Sequence, residues 1–219
     1  MNNLKPIFQE ASVVLVGSFN PAIFHPEWLL RNGLISEDDL ADQDVEIIHQ
    51  DIARFSLSWL NIQVQHDKFV ARTNDPSQFM PLKDLIVSVF TILEHIPIEK
   101  MGLNYNVTYD IGNAEDWHSV GNCLAPKSIW EETLPKPVGM KSLAVESPRE
   151  DEYNGYINVT IGPVRAKGYG INIGVNNHIE KAEGKESLNP PDILMGNWDA
   201  AILFAKKIAE NTITKALDR

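Results

Sequence analysis

The sequence predicts an α+β fold: a largely antiparallel sheet with helices packed on one face. Three observations predict it. Several segments alternate apolar and polar residues, the pattern of strands with one wet face. Two others, "MPLKDLIVSVFTILEHIP" (Met80 to Pro97) and "NWDAAILFAKKIAENTITKALD" (Asn197 to Asp218), carry apolar residues at helical spacing. The order is strands, helix, strand, a connection, then strands and a helix, which is not the regular β-α alternation of a parallel sheet.

In chain order, "ASVVLVGSF" (Ala11 to Phe19) is a short apolar run ending near Asn20-Pro21 and reads as a buried strand. "HPEWLLRNG" reads as a two-turn helix, with Pro26 at its first position and Gly33 just past its end. Around the two prolines, Phe19, Ile23, Phe24 and Trp28 form a rigid corner packed on the core, or an aromatic anchor for a partner. "ARFSLSWLNIQVQ" (Ala53 to Gln65) alternates but changes phase after Trp59, which predicts a bulged strand or one buried on both faces. "HDK" then turns a hairpin into "FVART". The helix that follows starts at Pro81, stops at Pro97, and buries Leu82, Leu85, Ile86, Val89, Phe90 and Leu93.

"MGLNYNVTYD" is a strand with Met101, Leu103, Tyr105, Val107 and Tyr109 on one face and Asn104, Asn106, Thr108 and Asp110 on the other. "GNAEDWHSVGNCLAP" reads as a loop or short helix, and "SIWEETLPKPVG" as a proline-bounded connection. Three more strands follow, "MKSLAVES", "YINVTIG" and "YGINIGVNN". Asn154-Gly155 is the hairpin signal before the second, and Gly168 and Gly170 mark the next turn. The last helix takes Asn197 as its N-cap and buries Trp198, Ala201, Ile202, Ala205, Ile208, Ala209 and Ile213. The elements form one continuous sheet or two lobes, an α+β lobe over 1–112 and a β-rich lobe over 113–219.

Composition narrows the function classes. The single cysteine, Cys123, excludes an internal disulfide and fits a reducing compartment. The N-terminal "MNNLKPIFQEASVVLVGSF" lacks a signal-peptide pattern, and no apolar run approaches the roughly 20 residues of a membrane span. The expectation is a cytoplasmic protein without a membrane partner. A formal net charge of −11 disfavours general nucleic-acid binding.

Asn-Val-Thr occurs twice, at Asn106–Thr108 and Asn158–Thr160, each time with Val on the apolar face. If these strands neighbour "YGINIGVNN", one face displays Asn104, Asn106, Thr108, Asn158, Thr160, Asn172 and Asn176. Asn is depleted in strands, so its recurrence needs a reason. Either the amides pair across a solvated face, or they form a face that binds a ligand or partner, with Gly174 permitting close approach.

Other chemistry-bearing groups are sparse. Asp116, His118 and Cys123 resemble an orienter, base and nucleophile, although a separation of five places His118 and Cys123 poorly on one helix face. No compact metal motif joins His25, His49, His66, His95, His118 or His178; His49 and Asp51 with a distant third ligand are the remaining option. Glu37, Asp38, Asp39, Asp42, Asp44, Glu46 and Asp51 form an acidic stretch that is a solvated surface, a patch for a basic partner or a weak cation site. Arg165 and Lys167 stand at the tip of a glycine-rich turn that matches no phosphate-binding motif; they mark a plain hairpin turn or an anion contact, and no cofactor is expected.

The Phe19-Asn20-Pro21 segment after the first strand, and "GLNYN" at Gly102 to Asn106, resemble a sporadically distributed bacterial family of uncharacterised proteins. That family carries an "LRYIN"-type run in a middle strand; Asn104 stands at its Arg. The resemblance implies a two-part α+β fold and a bacterial origin, and no activity.

The expectation for function is a non-enzymatic binding or interaction protein, with a protein partner or a homo-oligomeric (homodimeric) state, or a place as an accessory subunit. The alternatives are a small Cys/His-dependent hydrolase or transferase, and an acidic mimic of nucleic acid that binds a basic protein.

Overall fold

The computed structural model describes residues 4–131, 133–164 and 168–218. Arg165 and Lys167 therefore lie outside the described residues. Nine strands form a single antiparallel sheet in the order β2-β3-β4-β5-β1-β6-β9-β8-β7. They are β1 (Pro6–Gly17), β2 (Asp44–Ile48), β3 (Ile52–Ser56), β4 (Asn61–Gln65), β5 (Lys68–Thr73), β6 (Ile98–Asp110), β7 (Leu143–Pro148), β8 (Asn154–Val164) and β9 (Gly170–Glu180). The helices are α1 (Pro26–Arg31), α2 (Glu37–Ala41), α3 (Phe79–Ile92), α4 (Ala114–Leu124), α5 (Ser128–Glu131) and α6 (Pro190–Leu217). The expected α+β class holds.

β6 joins the two halves of the chain. It pairs with β1 on one side and β9 on the other, so strands from 1–112 and from 113–219 share one sheet. Alternation decides which face packs. Ala11, Val13 and Leu15 of β1, Leu103 and Val107 of β6, and Ile173 and Val175 of β9 all sit at 2% exposure or less. α3 and α6 lie over this layer, where Phe79 meets Tyr105 edge-to-face at 6.3 Å. Each fully buried aliphatic or aromatic side chain contributes on the order of 1.5–3 kcal/mol, so this layer dominates stability.

The aromatic corner belongs to the core. Phe19 and Phe24 are buried and pack with Phe69 and Phe90 at centroid distances of 5.2 to 6.5 Å. Local polar groups set its shape. Asn20 Oδ1 accepts from the Ala22 amide at 3.2 Å, and His25 Nδ1 accepts from the Trp28 amide, capping α1 ahead of Pro26. Gly33, at φ +67°, ends that helix in the left-handed conformation that glycine adopts without strain.

Three local expectations are corrected and one alternative is decided. Ala53 to Gln65 is not one bulged strand but the hairpin β3–β4, register-paired Phe55 to Ile62 and Ala53 to Val64. The phase change is its turn, through Leu57 to Leu60. Asn154-Gly155 is not the β7–β8 turn: both residues belong to β8, and the loop is Arg149 to Tyr153. Gly155 is required there for another reason. At φ +132° its Cβ would stand 2.1 Å from the His178 carbonyl oxygen. Of the two readings of "GNAEDWHSVGNCLAP", the helix holds: α4, capped by Asn113. α6 starts at Pro190, capped by Asn189, and Asn197 lies inside it, donating to the Ile193 carbonyl. Pro190 and Pro191 occupy the first helical positions, where a missing N–H costs nothing.

The sheet edges are β2 and β7. All five β2 residues are exposed, and Asp44, Glu46 and a register shift between Val45 and Ile47 blunt that edge against strand addition.

Candidate functional site: the amide face of β6, β9 and β8

The face opposite the helices is built by strand pairing. β6 and β8 flank β9, and the registers put side chains in rows across the three strands. Asn104, Asn176 and Asn158 form one row, continued by Ser12 on β1 and Glu146 on β7. Asn106, Gly174 and Thr160 form the next; Thr108, Asn172 and Gly162 the third. The two Asn-Val-Thr segments thus lie on either side of β9. Val107 is fully buried and Val159 is 8% exposed, both on the helix side. All seven residues singled out from the sequence share this face.

Two parts of the face differ in how their amides are engaged. On the β1 side the amides are engaged. Asn104 Nδ2 donates to Ser12 Oγ at 3.3 Å and Asn106 Nδ2 to Glu10 Oε1 at 3.3 Å. Asn172 Nδ2 donates to Thr108 Oγ1 at 3.1 Å and to the Val107 carbonyl at 3.2 Å. The glycines receive these amides. A Cβ at Gly174 would sit 2.6 Å from Asn106 Oδ1 and 2.9 Å from Thr160 Oγ1; one at Gly102 would sit 3.0 Å from Asn176 Oδ1. The opening expected at Gly174 is therefore filled by side chains of the two neighbouring strands.

On the β8 side the amides are free. Among the described residues neither Asn158 nor Asn176 makes a side-chain hydrogen bond, and Asn176 Oδ1 is withdrawn from water. The adjacent row adds groups the sequence reading did not include. The Tyr156 ring stacks on His178 at 4.5 Å and 28°. His178 Nε2 lies 2.9 Å from Glu180 Oε1, which also accepts from Lys100 Nζ at 2.9 Å. Hydrogen bonding from His178 and then Lys100 holds the Glu180 carboxyl below its ordinary value. The signal was present: Tyr156, His178 and Glu180 continue the same alternation as Asn158 and Asn176.

The other candidates are placed apart. Asp116, His118 and Cys123 are all on α4, but Asp116 is occupied by Asn113, whose Nδ2 donates to Asp116 Oδ2 at 2.8 Å. His118 is exposed and lies edge-to-face with Trp117 at 5.0 Å; Cys123 is half-buried against the core. Among the described residues no hydrogen bond joins the three.

The acidic stretch is divided among local partners. Asp39 completes a capping box with Ser36 and accepts from Trp59 Nε1 at 2.9 Å. Burial pushes its carboxyl up, but the bonds from Ser36 and Trp59 outweigh that and leave it lowered. Glu46 pairs with Arg54 at 3.2 Å. Asp51 bridges His49 at 3.3 Å and His66 at 3.0 Å, tying the β2–β3 turn to the β4–β5 turn. Among the described residues no three His, Cys, Asp or Glu side chains are arranged to hold a metal ion. No helix of the described residues is long and apolar enough to cross a membrane.

No protein-family model matches the chain, and no curated protein matches it.

Proposed function

We propose that the protein is a non-enzymatic binding protein of the cytoplasm, which takes its partner on the β8 side of the amide face. One observation carries this reading: among the described residues the facing side chains of Asn158 and Asn176 make no hydrogen bond beside the Tyr156–His178 stack, while the other amides of the face are consumed internally. Withholding the buried Asn176 Oδ1 from any partner costs about 1–3 kcal/mol, a cost recovered when the amide turns outward to meet a docked donor. Free amides offer both donors and acceptors, and together with an adjacent aromatic stack they suit the surface or exposed backbone of a protein.

The test is capture by immobilised protein with and without Asn158→Arg. The substitution is on the open face, so circular dichroism should be unchanged while the captured partner is lost. Capture that is equal for both proteins removes this face from consideration.

A further inference from the structure

α6 carries two apolar stripes. The first, through Trp198, Ala201, Ala205 and Ala209, is buried on its own sheet. The second, Ala200, Leu203, Phe204 and then Lys207, repeats the i, i+3, i+4, i+7 spacing of a packed face. Yet Leu203 is 69% and Phe204 50% exposed. This stripe is one wall of an open groove of about 810 Å³. The floor is Ile157 and Val159 of β8 and Val145 of β7, of which Val145 is exposed, Ile157 half-buried and Val159 buried beneath them. Contiguous exposed apolar surface of this kind marks an interaction site.

We infer that α6 of a second copy of the chain occupies this groove across a two-fold axis. A two-fold interface must be its own complement, and this patch contains both halves: the ridge of Leu203 and Phe204, and the trough of Val145, Ile157 and Val159. Its charges are complementary in the same sense. Lys207 borders the helix wall and Glu150, in the loop after β7, borders the opposite wall, so a two-fold axis lets the lysine of each copy meet that carboxylate of the other. With a net charge of −11, two copies repel elsewhere, and this local attraction selects the orientation.

The polar end of the groove argues against a small anionic occupant. The Arg149 guanidinium is already spent on Asn177, Asp151 and the His178 carbonyl, so it presents no free charge to orient a ligand.

Sedimentation of the full chain from about 1 to about 100 μM tests the inference. The wild type should show a concentration-dependent dimer. Leu203→Glu and Val145→Glu, both at exposed positions, should each raise the dimer Kd by about tenfold or more. Lys207→Glu should weaken the dimer too, and Glu150→Lys in the same chain should restore it. A wild type that is monomeric throughout, or a dimer that none of these substitutions alters, overturns the inference. A monomer whose groove binds a hydrophobic dye, lost in Leu203→Glu, overturns it in favour of a small apolar ligand.

Discussion

The side chain of Asn106 fills the space that Gly174 leaves on the neighbouring strand: a methyl group at residue 174 would stand 2.6 Å from Asn106 Oδ1. Thr160 leans into the same space from the other side and donates to the Gly174 carbonyl at 3.5 Å. The recurrent asparagines and the interior glycines of this sheet are therefore one device. A glycine removes a side chain so that an amide from the next strand can lie flat.

Gly174→Ala should destabilise the protein by about 1–3 kcal/mol, the usual cost of inserting a methyl into filled space. Asn106→Ala in the same chain should recover part of that loss. Urea denaturation of the four proteins of the cycle measures the coupling, expected at about 0.5–3 kcal/mol for groups in contact. Additive losses would mean that the two residues do not compete for the space.

Arg149 is 5% exposed at its side chain and holds the β7–β8 loop by bonds to Asp151 and to the buried Asn177. Asp151→Ala should cost about 1–3 kcal/mol, because it leaves a buried guanidinium without its carboxylate. Chemical denaturation reads it. Asp151 is half in water, so a loss near the lower end is expected.

The Asp51–His66 pair makes a pH-dependent tie between two turns. Hydrogen bonding to Asp51 raises His66 from 6.5, and the same bond lowers Asp51 from 3.8. A raised histidine contributes most below 6.5 and loses its contribution as pH rises through its folded value. A lowered carboxylate contributes above 3.8 and loses it as pH falls through its folded value. The tie should therefore be fully made between these limits. In an NMR titration Asp51→Asn should move the His66 midpoint downward, and an unmoved midpoint would show that the bond does not persist in solution.

Cys123 has no hydrogen bond to His118, so His118→Ala should leave the alkylation rate of the thiol within about twofold of the wild type, since thiolate formation sets that rate. A tenfold fall would reopen the hydrolase alternative, because it would make the imidazole the base of the thiol.

Much of the fold was legible because its signals are local. Alternation alone placed Val107 and Val159 toward the core and the asparagines away from it, since side chains in a strand have a period of two. The helical spacing of Leu82, Leu85, Ile86, Val89 and Phe90 placed α3, and proline and glycine placed α1. The phase change after Trp59 was visible too, but a turn and a bulge write the same pattern, and only the pairing of Phe55 with Ile62 distinguishes them.

The N-terminus of α6 and the role of Gly155 were not legible, for one reason. Asn197 and Asn189 are both good capping residues, and Pro190 with the buried Ile193 and Leu194 decides between them only once there is a core to receive them. Likewise Asn154-Gly155 is a turn dipeptide by propensity, yet the close backbone of His178 holds Gly155 in a strand.

The sequence by itself determined the class of fold, the single cysteine, the acidic charge and which residues of each strand look the same way. Only the tertiary structure decided that β6 and β8 flank β9, which amides are engaged and which are free, and that α6 leaves part of the sheet bare. Side-chain direction follows from the chain's own covalent geometry, whereas partner, register and coverage depend on strands more than 50 residues apart finding a common face to bury.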